Sequence, residues 1–283
     1  MYYGVLVLCA VMFGTQFFFT NMFKEAYGND FKAMCVSSVG SAIVGIILLS
    51  LINGFSFGYT HFSLIMAVIV SVNSKLFTFC SLKALGKINL SLYSIFSMLG
   101  GMALPFVAGI FFFDEQPTLG KIICFVFIAL AILVTIEKGD KSKGAVYYIG
   151  IFIFNGMSGV LSKIYMAMPF EKVSASEYSI LCCIVNLVMS LILLLFVRKV
   201  KRRINLKAVI SIIGYGTLNR LANFLLLICL AYLPASAQYP FITGGTMVVS
   251  TVISYITRQK PGKKELLSVV LSFIGILALV LIV

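Results

Sequence analysis

Ten runs of apolar residues follow one another with almost no loop between them. Each is close to the ~20 residues a helix needs to cross a bilayer. They occupy 3–22, 33–52, 61–83, 89–112, 118–136, 146–167, 176–197, 208–231, 235–256 and 266–282. Within a membrane the backbone must satisfy its own N–H and C=O groups. Runs of this length do so as helices, whereas barrel strands alternate over ~10 residues. Composition excludes a soluble domain: 61% of the 283 residues are hydrophobic and 11% are charged, where a soluble surface needs about a quarter. The expected fold class is an all-α integral membrane protein of ten transmembrane helices. The breaks carry turn and charge signals, such as NGFSFGYT at 53–60, DEQPT at 114–118 and RKVKRR at 198–203. None is long enough to house an enzyme. The first run starts near Met1 without a basic leader or a small-residue cleavage site, so it reads as a retained helix.

The two halves of the chain resemble each other. KLFTF at 75–79 and RLANF at 220–224 share the pattern basic-Leu-x-x-Phe, 145 residues apart. Tyr2-Tyr3 and Tyr147-Tyr148 repeat at the same offset, while Gly100-Gly101 with Gly244-Gly245 and Pro117 with Pro261 repeat at 144, a slip of one residue. The expected division is a five-helix repeat at 1–140 and a second at 141–283. Five is odd, so the second repeat enters the membrane in the opposite sense, about a two-fold axis in the membrane plane. Loop charges agree with inversion. Of the loop Lys and Arg residues, 17 follow spans one, three, five, seven and nine, and only Lys121 and Lys172 fall in the other loops. The positive-inside rule then puts the odd-numbered loops in the cytoplasm and both termini outside. Basic loops facing an anionic leaflet account for the net charge of +13. A lipid bilayer, and no nucleic acid, is thus the expected macroscopic partner. The seven cysteines all fall inside spans as small hydrophobes and suggest neither a metal cluster nor a disulfide framework. No cofactor is expected, and monomer and homodimer both remain open.

Phe13-Gly14 and Asn155-Gly156 stand near the middle of the first helix of each half, Lys163 lies seven residues after Gly156, and FFFDEQPTLGKIICFVFIALAIL at 111–133 joins an acidic turn to a Gly-containing apolar helix. In these features the chain resembles the drug/metabolite transporter superfamily, the ten-helix group with two EamA-type repeats. The resemblance implies a small-molecule substrate and a multi-pass location in a bacterial plasma membrane. It also implies a central cavity lined by helices one, three, four, six, eight and nine, worked by alternating access.

Polar residues concentrate in those helices: Gln16 in span one, Asn73, Ser74 and Lys75 in three, Tyr93 and Ser97 in four, Asn155 in six, Asn219, Arg220 and Asn223 in eight, Gln238, Tyr239 and Thr243 in nine. Spans five and ten have almost none and suit packing or a lipid-facing role. A Lys or Arg at mid-span costs on the order of 3 kcal/mol, and all nine acids lie in loops or at span ends. If Lys75 and Arg220 face one cavity, their missing counter-ion is the substrate, a carboxylate or phosphate that Arg grips bidentately and Lys holds as a point charge. Candidate substrate-binding residues are therefore Lys75, Arg220, Asn73, Asn219, Asn223, Gln16, Tyr93, Asn155, Tyr239 and Lys163. The alternative is structural: each cation bonds carbonyls of a broken helix or snorkels, which is easiest for Lys163, late in its helix. Gly100, Gly101, Gly244 and Gly245 are close-packing points or, with Pro105 and Pro240, gating points. His61 reads as interfacial and Glu115 as a loop cap or neutraliser.

Among function classes, a cation exporter wants a buried acid that this chain lacks, and an enzyme wants a nucleophile with a base or a metal set. Flipping of a phosphate-bearing lipid would use the same two cations. Energy coupling stays open among exchange, facilitated flow, Na⁺ held by carbonyls and a titrating Lys75.

Overall fold

The computed structural model describes residues 2–28, 30–85, 90–134, 145–197, 204–256 and 262–282, with side chains left out at 82, 84, 85, 90–95, 145, 254 and 265. These residues form α1 (Tyr2–Tyr27), α2 (Phe31–Ile52), α3 (His61–Leu85), α4 (Leu90–Phe112), α5 (Leu119–Val134), α6 (Ala145–Ala167), α7 (Ala175–Leu195), α8 (Leu206–Cys229), α9 (Ala235–Ile256) and α10 (Lys263–Leu281). No strand occurs among them. Each expected span coincides with one helix, and α1, α2, α3, α6, α7 and α8 are each long and apolar enough to cross a membrane.

The boundaries have local causes. Asp30 caps α2 by accepting from the Ala33 amide at 3.3 Å, and Asn205 caps α8 by accepting from the Ala208 amide at 2.8 Å. Ser174 and Glu177 form a reciprocal capping box on α7. After α2 the chain reverses through Gly54 and Phe55, both at positive φ (62° and 58°), a region open to glycine at little steric cost.

The helices pack in pairs that map onto one another when each helix is exchanged for the one five later. Thus α1 lies on α8 as α6 lies on α3, α4 lies on α6 as α9 lies on α1, and α2 lies on α8 as α7 lies on α3. The pairs α2–α7, α5–α10 and α4–α9 map onto themselves. The pairs α1–α8 and α3–α6 run antiparallel, as contacts along them show. Tyr2 stacks on Tyr232 with ring centroids 4.1 Å apart, while Glu25 at the other end of α1 pairs with Lys207 at 2.9 Å. Backbones approach closely between α4 and α6, where a Cβ on Gly100 would strike the Phe152 carbonyl and one on Gly156 would strike the Gly100 carbonyl. Such small-residue contacts let membrane helices gain dispersion energy where lipid removes the hydrophobic drive.

The two ends of the bundle differ. At the end holding the α2–α3 turn, Tyr165 is sandwiched between Phe62 and Tyr178, with the Tyr165 and Tyr178 centroids 3.5 Å apart, and its hydroxyl donates to the Val173 carbonyl at 2.9 Å. At the opposite end, Lys24, Lys32 and Lys207 gather where α1, α2 and α8 meet.

Candidate functional site

A cavity of about 730 Å³ runs through the bundle. Lys75 of α3 and Arg220 of α8 both line it. So do Gln16, Asn219, Asn223, Asn155, Tyr239, Thr243 and Gly101, which the sequence singles out. Gln16 accepts from Asn219 Nδ2 at 2.9 Å, tying α1 to α8. Asn155 Nδ2 donates to the Ser97 carbonyl at 2.6 Å and its hydroxyl at 3.2 Å, tying α6 to α4. The Tyr239 hydroxyl donates to the Gly159 carbonyl at 3.2 Å. Asn223 donates within its own helix, to the Asn219 carbonyl at 2.7 Å. These amides join helices and keep one polar end at the cavity wall.

Several other candidates lie elsewhere. Asn73 is buried between α3 and α6, donating to the Phe154 carbonyl at 2.8 Å and Ser158 Oγ at 3.1 Å, away from the cavity wall. The side chain of Tyr93 lies outside the described residues. Lys163 neither reaches the cavity nor snorkels: its ammonium lies 2.8 Å from Glu115 Oε1, with side chains only 14% and 6% exposed. Glu115 also accepts from the amides of Ala235 and Ser236 at 2.7 and 2.8 Å, so this loop carboxylate caps the start of α9. Burial works to raise the Glu115 pKa, but Lys163 and those donors outweigh it and hold the carboxyl below its ordinary range. Gly244 packs against Ile128 and Ile276, Gly245 against Ala10, and Pro105 and Pro240 are fully buried inside α4 and α9.

The cavity wall also corrects the expected set of helices. α2 and α7 contribute Ser37, Ser38, Ser41, Ser179, Cys182, Cys183 and Asn186, because the two lie against each other with their polar faces inward. Here lie the groups that the sequence reading passed over. The Lys75 ammonium donates to Ser38 Oγ at 2.8 Å, Asn186 Oδ1 at 3.1 Å and Ser190 Oγ at 2.7 Å. The signal was present: Ser38 with Ser41, and Asn186 with Ser190, sit three and four residues apart in otherwise apolar runs, hence on one helix face.

Arg220 is differently placed. Its guanidinium donates one long bond, 3.4 Å, from Nη2 to Ser41 Oγ, and its buried Nε has no partner. Its stem passes over Gly45, where an added Cβ would come within 2.8 Å of both Arg220 Cγ and Cys183 Sγ. Among the described residues neither cation forms an ion pair. Phe13, Phe17, Phe77 and Tyr215 supply apolar wall to the same cavity. Chemically the site can hold an anion attached to an apolar body.

The EamA-like transporter family matches residues 142–281, the second set of five helices. The chain belongs to the EamA-like transporter family. A family of membrane transporters thereby accounts for the ten apolar helices and makes this an integral, multi-pass membrane protein. A solved structure described as "Crystal structure of protein" superposes with a TM-score of 0.78 over 97% of this chain and 94% of that chain, at 12% identity, and shares its fold. No curated protein sequence matches this chain.

Proposed function

We propose that this transporter moves a small anionic metabolite, bearing a carboxylate or a phosphate, through the cavity between its two five-helix halves by alternating access. One observation carries the reading: two mid-span cations, Lys75 and Arg220, line a single cavity with no carboxylate paired to either among the described residues. Uncompensated charge inside a membrane is expensive and tends to mark a substrate or ion pathway. The halves, 1–140 and 141–283, would rock against each other about the buried site, with solute entry from a plasma-membrane face. Transport rather than catalysis is favoured because the chain belongs to a family of transporters and neither a histidine nor a carboxylate is among the residues described as lining the wall.

Proteoliposomes containing the protein and loaded with benzoate or inorganic phosphate test this. Labelled external anion should be taken up in exchange, well above the rate of empty vesicles. Uptake confined to cationic or neutral compounds would overturn the reading.

A further inference from the structure

Lys75 and Arg220 sit in matched sockets, and only one socket is furnished with acceptors. The 145-residue offset that carries Lys75 onto Arg220 also carries its surroundings: Ser38 answers to Cys183, Asn186 to Ser41 and Ser190 to Gly45. The structure places Cys183, Ser41 and Gly45 around Arg220 as it places Ser38, Asn186 and Ser190 around Lys75. In the first socket all three side chains end in an oxygen that accepts from the ammonium. In the second they are a thiol, a hydroxyl at 3.4 Å and no side chain at all.

Donor capacity decides what each cation can do next. An ammonium has three N–H donors, and three acceptors within 3.1 Å take up those of Lys75. A guanidinium has five in a planar fork, and Arg220 gives one long bond while its buried Nε has none. The Gly45 position also leaves the Arg220 stem room that a side chain there would take.

We infer that Arg220 alone receives the anionic group of the solute, and that Lys75 is a positioning residue fastening α3 to the α2–α7 pair. The preferred solute then carries one anionic group on an apolar body, not two groups spanning both cations. This rests on the proposed anionic path, and the experiment separates the two.

Thermal unfolding of the purified full chain in detergent, with inorganic phosphate, acetate and benzoate as probes, tests it. The wild type should be stabilised saturably by at least one probe. Arg220→Met should weaken that response by roughly 10- to 100-fold in apparent Kd. Lys75→Met should lower the melting temperature without ligand by roughly 3–6 °C yet keep the apparent Kd within about threefold. In proteoliposomes the same variant should lose turnover with KM unchanged. Cys183→Ser, a nearly isosteric change, gives the second socket an acceptor and should weaken anion affinity roughly two- to fivefold. A response that persists in Arg220→Met, disappears in folded Lys75→Met, or is unchanged or stronger in Cys183→Ser overturns the assignment. No response of the wild type to any probe overturns the anionic path itself, and this inference with it.

Discussion

A glycine in a membrane helix is informative when another backbone occupies the place of its missing side chain. Gly100 and Gly156 meet in this way across the α4–α6 contact, carbonyl against Cα. Gly100→Ala must push the two helices apart, since a carbonyl cannot rotate aside as a flexible side chain can. Overpacking of this kind costs ~1–3 kcal/mol, so the variant should melt several degrees lower than wild type in detergent. Gly4, with nothing near its Cβ position, should tolerate alanine and serves as the control. The sequence shows the Gly100-Gly101 pair and its repeat at 244–245 but not their different surroundings. Gly100 meets backbone, whereas Gly244 meets the ends of Ile128 and Ile276 and Gly245 meets the Ala10 methyl. That difference depends on helix rotation, which an almost uniformly apolar run does not encode.

Between elements, the decisive tie is the one from the 113–118 loop to α6 and α9. Glu115 holds Lys163 at 2.8 Å and the first amides of α9 at 2.7 and 2.8 Å. Its pKa is depressed in the folded protein, so its contribution is fully present above the ordinary glutamate value of 4.5 and is lost as pH falls through the lowered value. Melting temperature measured against pH should therefore decline on the acid limb, and Glu115→Gln should flatten that decline. Lys163→Met leaves the buried carboxylate without its cation and should cost ~3 kcal/mol, read as a lowered denaturation midpoint. From sequence alone Lys163 looks like a snorkelling residue and Glu115 like a local cap. The spans themselves were legible, because length and hydropathy set them. The partner of a polar residue was not, because Glu115 finds Lys163 48 positions on and Ala235 120 positions on, a separation that local patterning does not reach. Lys75 and Arg220 stood out for a simpler reason: a charge inside an apolar run is conspicuous wherever it points, while the serines and the asparagine that surround Lys75 show only as small polar groups at helical spacing.

For the whole molecule, the cavity extends to Lys24, Gly28 and Phe31 at the basic end, while the Phe62–Tyr165–Tyr178 stack and the Glu115–Lys163 pair lie toward the other end. A cysteine at Thr20, on the cavity wall toward the basic end, should react with a membrane-impermeant thiol reagent in inside-out vesicles and not in intact cells. The reverse pattern would invert the assigned orientation. The α2–α7 pair, which maps onto itself when the halves are exchanged, has a further consequence. Were the halves of an inverted duplication identical, opening toward one side would reproduce opening toward the other, and the empty protein would divide evenly between the two. Here Lys75 holds that central pair through three hydrogen bonds and Arg220 through one. A difference of ~1.4 kcal/mol is enough for a ten-to-one preference, so under the proposed alternating access the unequal furnishing of two sockets would give the unloaded carrier a resting side.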